Sequence, residues 1–289
     1  MKIVMLDIST ACGAKCKYCL HQYRNMVKPQ FMVWEAFVKI VDILKRERYD
    51  YVYPYLSGEP ILHPNYWKMI IRMSNSAMVT NTATKLCFVI DEYEMREAFK
   101  RMNCQLYFDV TIDAPDQTIQ DNIAKHINND LVFSNLDKLA TEARTKRITI
   151  SVVTVVNRYN EWHLKEIKRR VNDCGVTRWA AKPMGYYMGY RMLPEDEATI
   201  ADMAPAKSTR FSVVDGHVVS KMKQCGSFIK PVIGPTGNVT ICCHDMLYHE
   251  SDWNVLKVGS LDSIINSPGY QKKLELGRRM ELGICRRCN

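Results

Sequence analysis

Short apolar, β-branched runs alternate with amphipathic stretches six times before residue 184, and this alternation narrows the fold more than any other feature. The runs are Ile3–Leu6, Tyr51–Leu56, Ala77–Ala83, Leu106–Ile112, Ile148–Val156 and Arg178–Pro183. Between them, Phe31–Arg48, Asn65–Met73, Asp91–Met102, Asp116–His126, Ser134–Lys146 and Asn160–Asp173 read as helices, several with apolar residues recurring at helical spacing. Ile148–Val156 is almost wholly β-branched, as a strand covered on both faces should be. Strands separated by helices predict a parallel α/β sheet wound with right-handed crossovers. Six units are fewer than the eight of a closed barrel, and chemistry on such sheets gathers at the C-terminal strand ends.

The chain of 289 residues is 47% hydrophobic and 25% charged, an ordinary globular balance with ample core. No apolar run is long enough to cross a membrane. Asp7 interrupts the apolar start too early for a signal peptide, so a cytoplasmic location is expected. The net charge of +9 suits an anionic substrate or nucleic acid, but its densest patch, Lys165–Arg170, reads as a solvated helix face.

Eleven cysteines without a secretory signal point to metal binding rather than disulfides. Cys12, Cys16 and Cys19 form a CxxxCxxC run directly after the first strand, while Cys225, Cys242, Cys243, Cys285 and Cys288 fall in the last quarter. Cys87, Cys104 and Cys174 lie singly and read as small buried side chains. A structural zinc or electron-transfer cluster takes four protein ligands, so a local trio leaves one metal position open. A zinc site borrowing a distant fourth cysteine is the alternative.

CxxxCxxC with an aromatic, Tyr18, before its last cysteine resembles the cluster loop of the radical S-adenosylmethionine (SAM) enzymes. The resemblance implies a [4Fe–4S] cluster on Cys12, Cys16 and Cys19 whose open iron takes SAM, and a partial (β/α)6 barrel. Ser57-Gly58-Glu59-Pro60, one strand and one helix later, is similar to the family's GEP motif, which meets the SAM amino group. Thr80-Asn81-Thr82 stands where the family often has Thr-Asn-Gly, which makes Asn81 a candidate SAM contact. Thr111-Ile112-Asp113 is similar to the Ser-x-Asp ending the fourth strand, so Thr111 and Asp113 are candidates too; Asp113 reads equally well as a cap.

The tail pattern is a hairpin over Arg210–Ser220 turning at Asp215-Gly216, then Cys225, Gly237-x4-Cys242, and Cys285-Arg-Arg-Cys288. It resembles the twitch domain, a shortened SPASM domain. That implies an auxiliary [4Fe–4S] cluster on Cys225, Cys242, Cys285 and Cys288, with Cys243 the substitute if the register slips by one. A zinc ribbon has the same ligand chemistry. The expected division is a barrel over 1–184, a linker over 185–209 and the auxiliary domain over 210–289.

The implied activity is reductive cleavage of SAM, with an electron from a donor such as flavodoxin or ferredoxin. The resulting 5′-deoxyadenosyl radical takes a hydrogen atom from a small polar substrate (sugar, aminocyclitol or nucleotide), giving dehydrogenation or epimerisation. An epimerase needs a hydrogen donor; Cys243, Cys174, Cys87 and Cys104 are candidates, with Cys243 expected nearest the barrel mouth. Peptide modification is the second reading, weakened by the chain beginning directly at the first strand. Nucleic-acid modification is the third, and a non-enzymatic zinc protein is the reading from another class. No P-loop or dinucleotide fingerprint occurs.

Overall fold

The computed structural model describes residues 1–19, 29–143, 147–184, 199, 201–206, 211–215, 217–220, 230–245, 248, 250–283 and 285. All six anticipated strands form and pair in parallel: β1 (Ile3–Leu6), β3 (Tyr51–Tyr53), β4 (Val79–Thr84), β5 (Leu106–Thr111), β7 (Ile148–Val156) and β8 (Trp179–Pro183), side by side in that order. β3, β4, β5 and β8 are shorter than read from sequence, the first two for a local reason. Pro54 ends β3, since it has no N–H for the ladder, and Ala77 turns through φ +62° before β4 starts.

The helices α1 (Trp34–Arg46), α2 (Tyr66–Ser74), α3 (Glu92–Arg101), α4 (Gln117–Ile123), α5 (Asn129–Ala143) and α6 (Leu164–Asp173) separate the strands. Asp91 and Asp116 cap α3 and α4 by accepting backbone N–H groups of Glu94 and Ile119. Helix α5 starts five residues earlier than the periodicity suggested, because Asn128 accepts the Leu131 N–H at 3.0 Å.

The stretch read as one helix over Asp116–His126 ends at Ile123. Ala124–Lys125 (β6) instead pairs antiparallel with Lys15–Cys16 (β2) of the cysteine loop. The loop's backbone needs a partner, and that tertiary pairing outweighs local helix propensity.

The tail is not a separate layer. After the small hairpin β9 (Phe211–Val214) and β10 (His217–Ser220), strand β11 (Val232–Ile233) pairs in parallel with β1. Strands β12 (Asn238–Thr240) and β13 (Trp253–Asn254) follow it antiparallel, so nine strands of the described residues form one sheet. Gly237, at φ +85°, makes the β11–β12 turn, and its left-handed backbone favours glycine. Met5 and Asp7 donate backbone N–H groups to the carbonyls of Pro231 and Ile233 at 3.0 and 2.8 Å. Cys242 and Cys285 are buried in the same core as β1 and the barrel helices. Gly216, where the β9–β10 hairpin was expected to turn, and most of the expected linker lie outside the described residues.

Candidate active site at the C-terminal strand ends

The faces of β4 and β5 are set by what covers them. Thr82 accepts the Tyr66 hydroxyl from α2, and Phe108 packs edge-on against Phe99 of α3, so even-numbered side chains face the helices. Asn81, Ala83, Tyr107, Asp109 and Thr111 therefore face the barrel lumen, and register aligns Asn81 with Tyr107 and Ala83 with Asp109. Asn81 Oδ1 is buried there with no hydrogen-bond partner among the described residues, a polar atom poised for a ligand donor.

The cysteine loop and the GEP-like turn are strapped together. Glu59 N–H donates to Ala11 O at 2.7 Å. A Cβ on Gly58 would sit 2.4 Å from Ser9 O and 2.5 Å from Ala11 O, so only glycine lets the two backbones approach this closely. Glu59, 3% exposed, accepts the backbone N–H of Lys85 at 2.9 Å and of Ile61 at 3.4 Å. Burial raises its pKa against the pull of those donors.

Burial also pushes the Cys12 thiol up to about 12 and the Cys16 thiol up to about 11, the latter against the countervailing charge of Lys85. The three loop thiols feel one another's charge. Among the described residues, no three His, Cys, Asp or Glu side chains converge to hold a single metal ion. A multi-iron cluster takes one thiolate per iron, so three neighbouring thiols on one loop are a fitting donor set for it.

Opposite the loop, Asp113 is fully buried and committed on both oxygens. Oδ1 accepts the Val155 N–H at 2.8 Å; Oδ2 accepts the Tyr18 hydroxyl at 2.5 Å and pairs with the Lys85 ammonium. Lys85 also donates to the Tyr18 hydroxyl at 2.9 Å. Burial alone would lower the Lys85 pKa, but Asp113, Cys16 and Tyr18 reverse that and raise it well above its ordinary value, so the group stays an ammonium. Asn160, also buried, donates to Asp113 O at 2.8 Å and holds the strand end in place. Asp113 thus anchors other side chains rather than presenting a vacant carboxylate.

A second buried carboxyl ties the tail to this site. Asp7 Oδ2 accepts the Ser57 hydroxyl at 2.6 Å and the Tyr248 hydroxyl at 3.0 Å. The Tyr248 ring lies against Gly234, where a Cβ would meet it at 2.5 Å. Near it, Cys242 is 3% exposed and accepts the His244 N–H at 3.4 Å, the kind of contact that stabilises a thiolate. Thr240 and Glu250 both donate to Asp245 Oδ2 at 2.8 Å, which folds this loop. Cys285 is likewise buried. Cys243 is half-buried and close enough to Tyr55 that, behind burial and the charges of Asp109 and Tyr53, it helps raise that hydroxyl's pKa.

Sequence reasoning therefore placed Cys12, Cys16, Cys19, Tyr18, Ser57, Gly58, Glu59, Pro60, Thr111 and Asp113 at the C-terminal end of the sheet; Asn81, expected there too, is the third residue of β4 and pairs with Tyr107, the second residue of β5, so it lies deeper between the strands. The same reasoning missed Lys85, Asp7 and Tyr248. A lysine directly after Thr80–Thr84 and before an apolar run was a signal for the first. Of the candidate hydrogen donors, Cys104 precedes β5 and Cys174 precedes β8, so both sit at the N-terminal strand ends, away from the mouth. Cys87 is 6% exposed beside Glu59, Lys85 and the loop thiols. Cys225 and Cys288 lie outside the described residues.

Comparison with known proteins agrees with this arrangement. The family profile of the radical SAM superfamily matches residues 6–171, and that of the SPASM iron–sulfur cluster-binding domain matches residues 225–289. A tungsten-containing aldehyde ferredoxin oxidoreductase cofactor-modifying protein of Pyrococcus furiosus is 25% identical over 181 residues, 61% of this chain and 49% of that protein, so the match spans about half the relative's length. Among solved structures, anSMEcpe with bound AdoMet superposes at TM-score 0.67 and 14% identity over 100% of this chain and 85% of that one. Streptococcus suis SuiB bound to S-adenosylmethionine gives 0.69 and 13% over 99% and 71%. BtrN in complex with AdoMet and 2-DOIA gives 0.59 and 12% over 100% and 93%. At these identities the likeness concerns the fold. With the first profile covering more than half its length, the chain belongs to the radical SAM superfamily, with SAM and a [4Fe–4S] cluster as its cofactors and an auxiliary iron–sulfur cluster in a C-terminal SPASM/twitch domain.

Proposed function

We propose that this chain abstracts a hydrogen atom from a small polar molecule bound in the barrel lumen and so dehydrogenates or epimerises it. The observation that carries this reading is the lumen lining: Tyr55, Asn81, Tyr107 and Asp109 present hydroxyls, an amide and a carboxylate below the cysteine loop. Such a lining hydrogen-bonds a sugar, aminocyclitol or nucleotide, and 2-DOIA occupies the related BtrN.

Cys12, Cys16 and Cys19 would hold the first cluster, and Cys225, Cys242, Cys285 and Cys288 the auxiliary one as a second [4Fe–4S] centre. Buried Cys242 suits a ligand better than half-buried Cys243, which faces Tyr55 and would be the hydrogen donor of an epimerase. When bound and reduced by an external donor, the first cluster supplies electron transfer to SAM and hence the 5′-deoxyadenosyl radical. The chain's own residues do the rest. Ser57–Pro60 and Thr111 would hold SAM, while Asp113 fixes Tyr18 and Lys85 beside it; Asn81, lower in the lumen, would meet the substrate. The lumen wall aligns one C–H bond and excludes water.

Iron and sulfide content after anaerobic reconstitution is the first test. About eight irons falling to about four in the Cys12/Cys16/Cys19→Ala variant support two cubanes. No iron in either protein would sink the reading. Deuterium transfer from labelled polyols and amino sugars into 5′-deoxyadenosine then tests the substrate class.

A peptide substrate is the second reading. Val89, Tyr93 and Trp162 are 85%, 75% and 83% exposed on the loops and helix start beyond β4 and β7, the mouth side of the barrel, where an extended chain could rest. SuiB has been solved bound to its precursor peptide SuiA. Trp162→Ala would then impair turnover of a peptide and leave that of a small polyol unchanged.

A further inference from the structure

The mouth of the barrel holds a buried cation that the motifs of the cluster loop do not account for. Lys85 is only 15% exposed, and its partner Asp113 is wholly buried. Its ammonium stands 5.4 Å from the centre of the Tyr18 ring and donates to that residue's hydroxyl at 2.9 Å, which places it against the cysteine loop between Cys16 and Cys19. Its backbone is pinned as well, since Lys85 N–H donates to Glu59 Oε2 at 2.9 Å. The charge therefore cannot swing out to water as a surface lysine does. The ammonium donates directly to the Tyr18 hydroxyl of the loop, and Asp113 Oδ2 accepts from both, so a fixed cation and its counter-ion stand beside the cysteines.

We propose that Lys85 is a positioning residue of the first cluster site: held by Asp113 and Tyr18, its fixed positive charge sets the ease with which the cluster on Cys12, Cys16 and Cys19 accepts its electron. This rests on the assignment of that cluster to those three cysteines. One electron enters from an external reductant, no proton moves, and the added negative charge is stabilised by a cation already in place. Net charge and hydrogen bonding near the sulfurs are among the levers that tune such clusters, and a charge in a partly buried site is weakly screened.

The test is a dithionite potentiometric titration of the reconstituted full-length chain, read through the EPR signal that SAM addition perturbs. Lys85→Met, Lys85→Arg and Asp113→Asn are compared with the native chain. Removing the cation should disfavour reduction about tenfold or more at fixed potential, a downward shift of about 59 mV for one electron. Asp113→Asn removes the opposing charge and should shift the potential upward, while Lys85→Arg should stay near the native value. Opposite shifts are the signature of charge. A role confined to holding the loop together would move Lys85→Met and Asp113→Asn in the same direction, and that result, or no shift in either, overturns the proposal. If Lys85→Met loads no cluster, Asp113→Asn decides: an upward shift supports the proposal and a downward or absent one overturns it. A native chain without iron removes the cluster assignment and the proposal with it, a failure visible before any potential is read.

Discussion

Gly58 shows how much of this site depends on backbone contact. Its missing Cβ lets the GEP-like turn lie on the carbonyls of Ser9 and Ala11 at distances no side chain tolerates. Neither carbonyl can give way without moving the cysteine loop. Gly58→Ala should therefore cost about 1–3 kcal/mol and halve the reconstituted iron content, the loss falling on the first cluster; iron analysis with urea unfolding checks both. Tyr248 makes the complementary point in the tail. Its hydroxyl reaches a fully buried carboxyl at 3.0 Å, so Tyr248→Phe should cost about 1.5–3 kcal/mol, read from urea unfolding. The barrel's GEP-like turn and the tail share that carboxyl through Ser57, so the loss should be felt at both.

At the scale of elements, β11 decides how the tail belongs to the barrel. It covers the edge of β1 that would otherwise offer bare N–H and C=O groups. Ile233 is fully buried there, and Ile233→Ala should cost about 2–5 kcal/mol while leaving thermal unfolding a single transition, because the sheet is continuous. Two separated transitions by calorimetry would show the tail to be an independent unit. The turn after Gly58 carries a pH dependence of its own. His63 Nδ1 accepts the Asn65 N–H at 2.9 Å, so the ring is neutral and Nε2 donates to Met32 O at 2.8 Å. Burial lowers its pKa below the ordinary 6.5, so the unfolded chain binds the proton more readily. This contribution is present above pH 6.5 and is lost as pH falls below it. Stability measured from pH 7 towards pH 5 should decline less in His63→Gln than in the native chain.

For the molecule as a whole, the sheet ends at β8 on one side and at β13 on the other among the described residues. Ala180 and Lys182 share the lumen face with Val153 and Val155, yet both are exposed, so the lumen opens beside β8. Ala180→Trp should leave the Tm and SAM binding unchanged and raise the KM for the substrate. Calorimetry, SAM titration and the kinetics of 5′-deoxyadenosine formation separate these outcomes. Unchanged KM would place substrate access elsewhere.

The alternation of β-branched runs and amphipathic helices was legible in the chain because period and breakers are local properties. So was the cysteine loop, whose three cysteines lie within eight residues of one another. What the local pattern could not contain were the pairings that join distant stretches: β6 with the cysteine loop, β11 with β1, Asp7 with Tyr248, and Lys85 with Asp113. Each is selected by burial, where a backbone N–H, a carboxyl or an ammonium cut off from water must find a partner in whatever the fold brings near. Residue types and spacing by themselves determined the six parallel strands and the cysteine loop; only tertiary packing decided how the tail joins that sheet and which charge stands beside the loop, because both depend on what burial brings together.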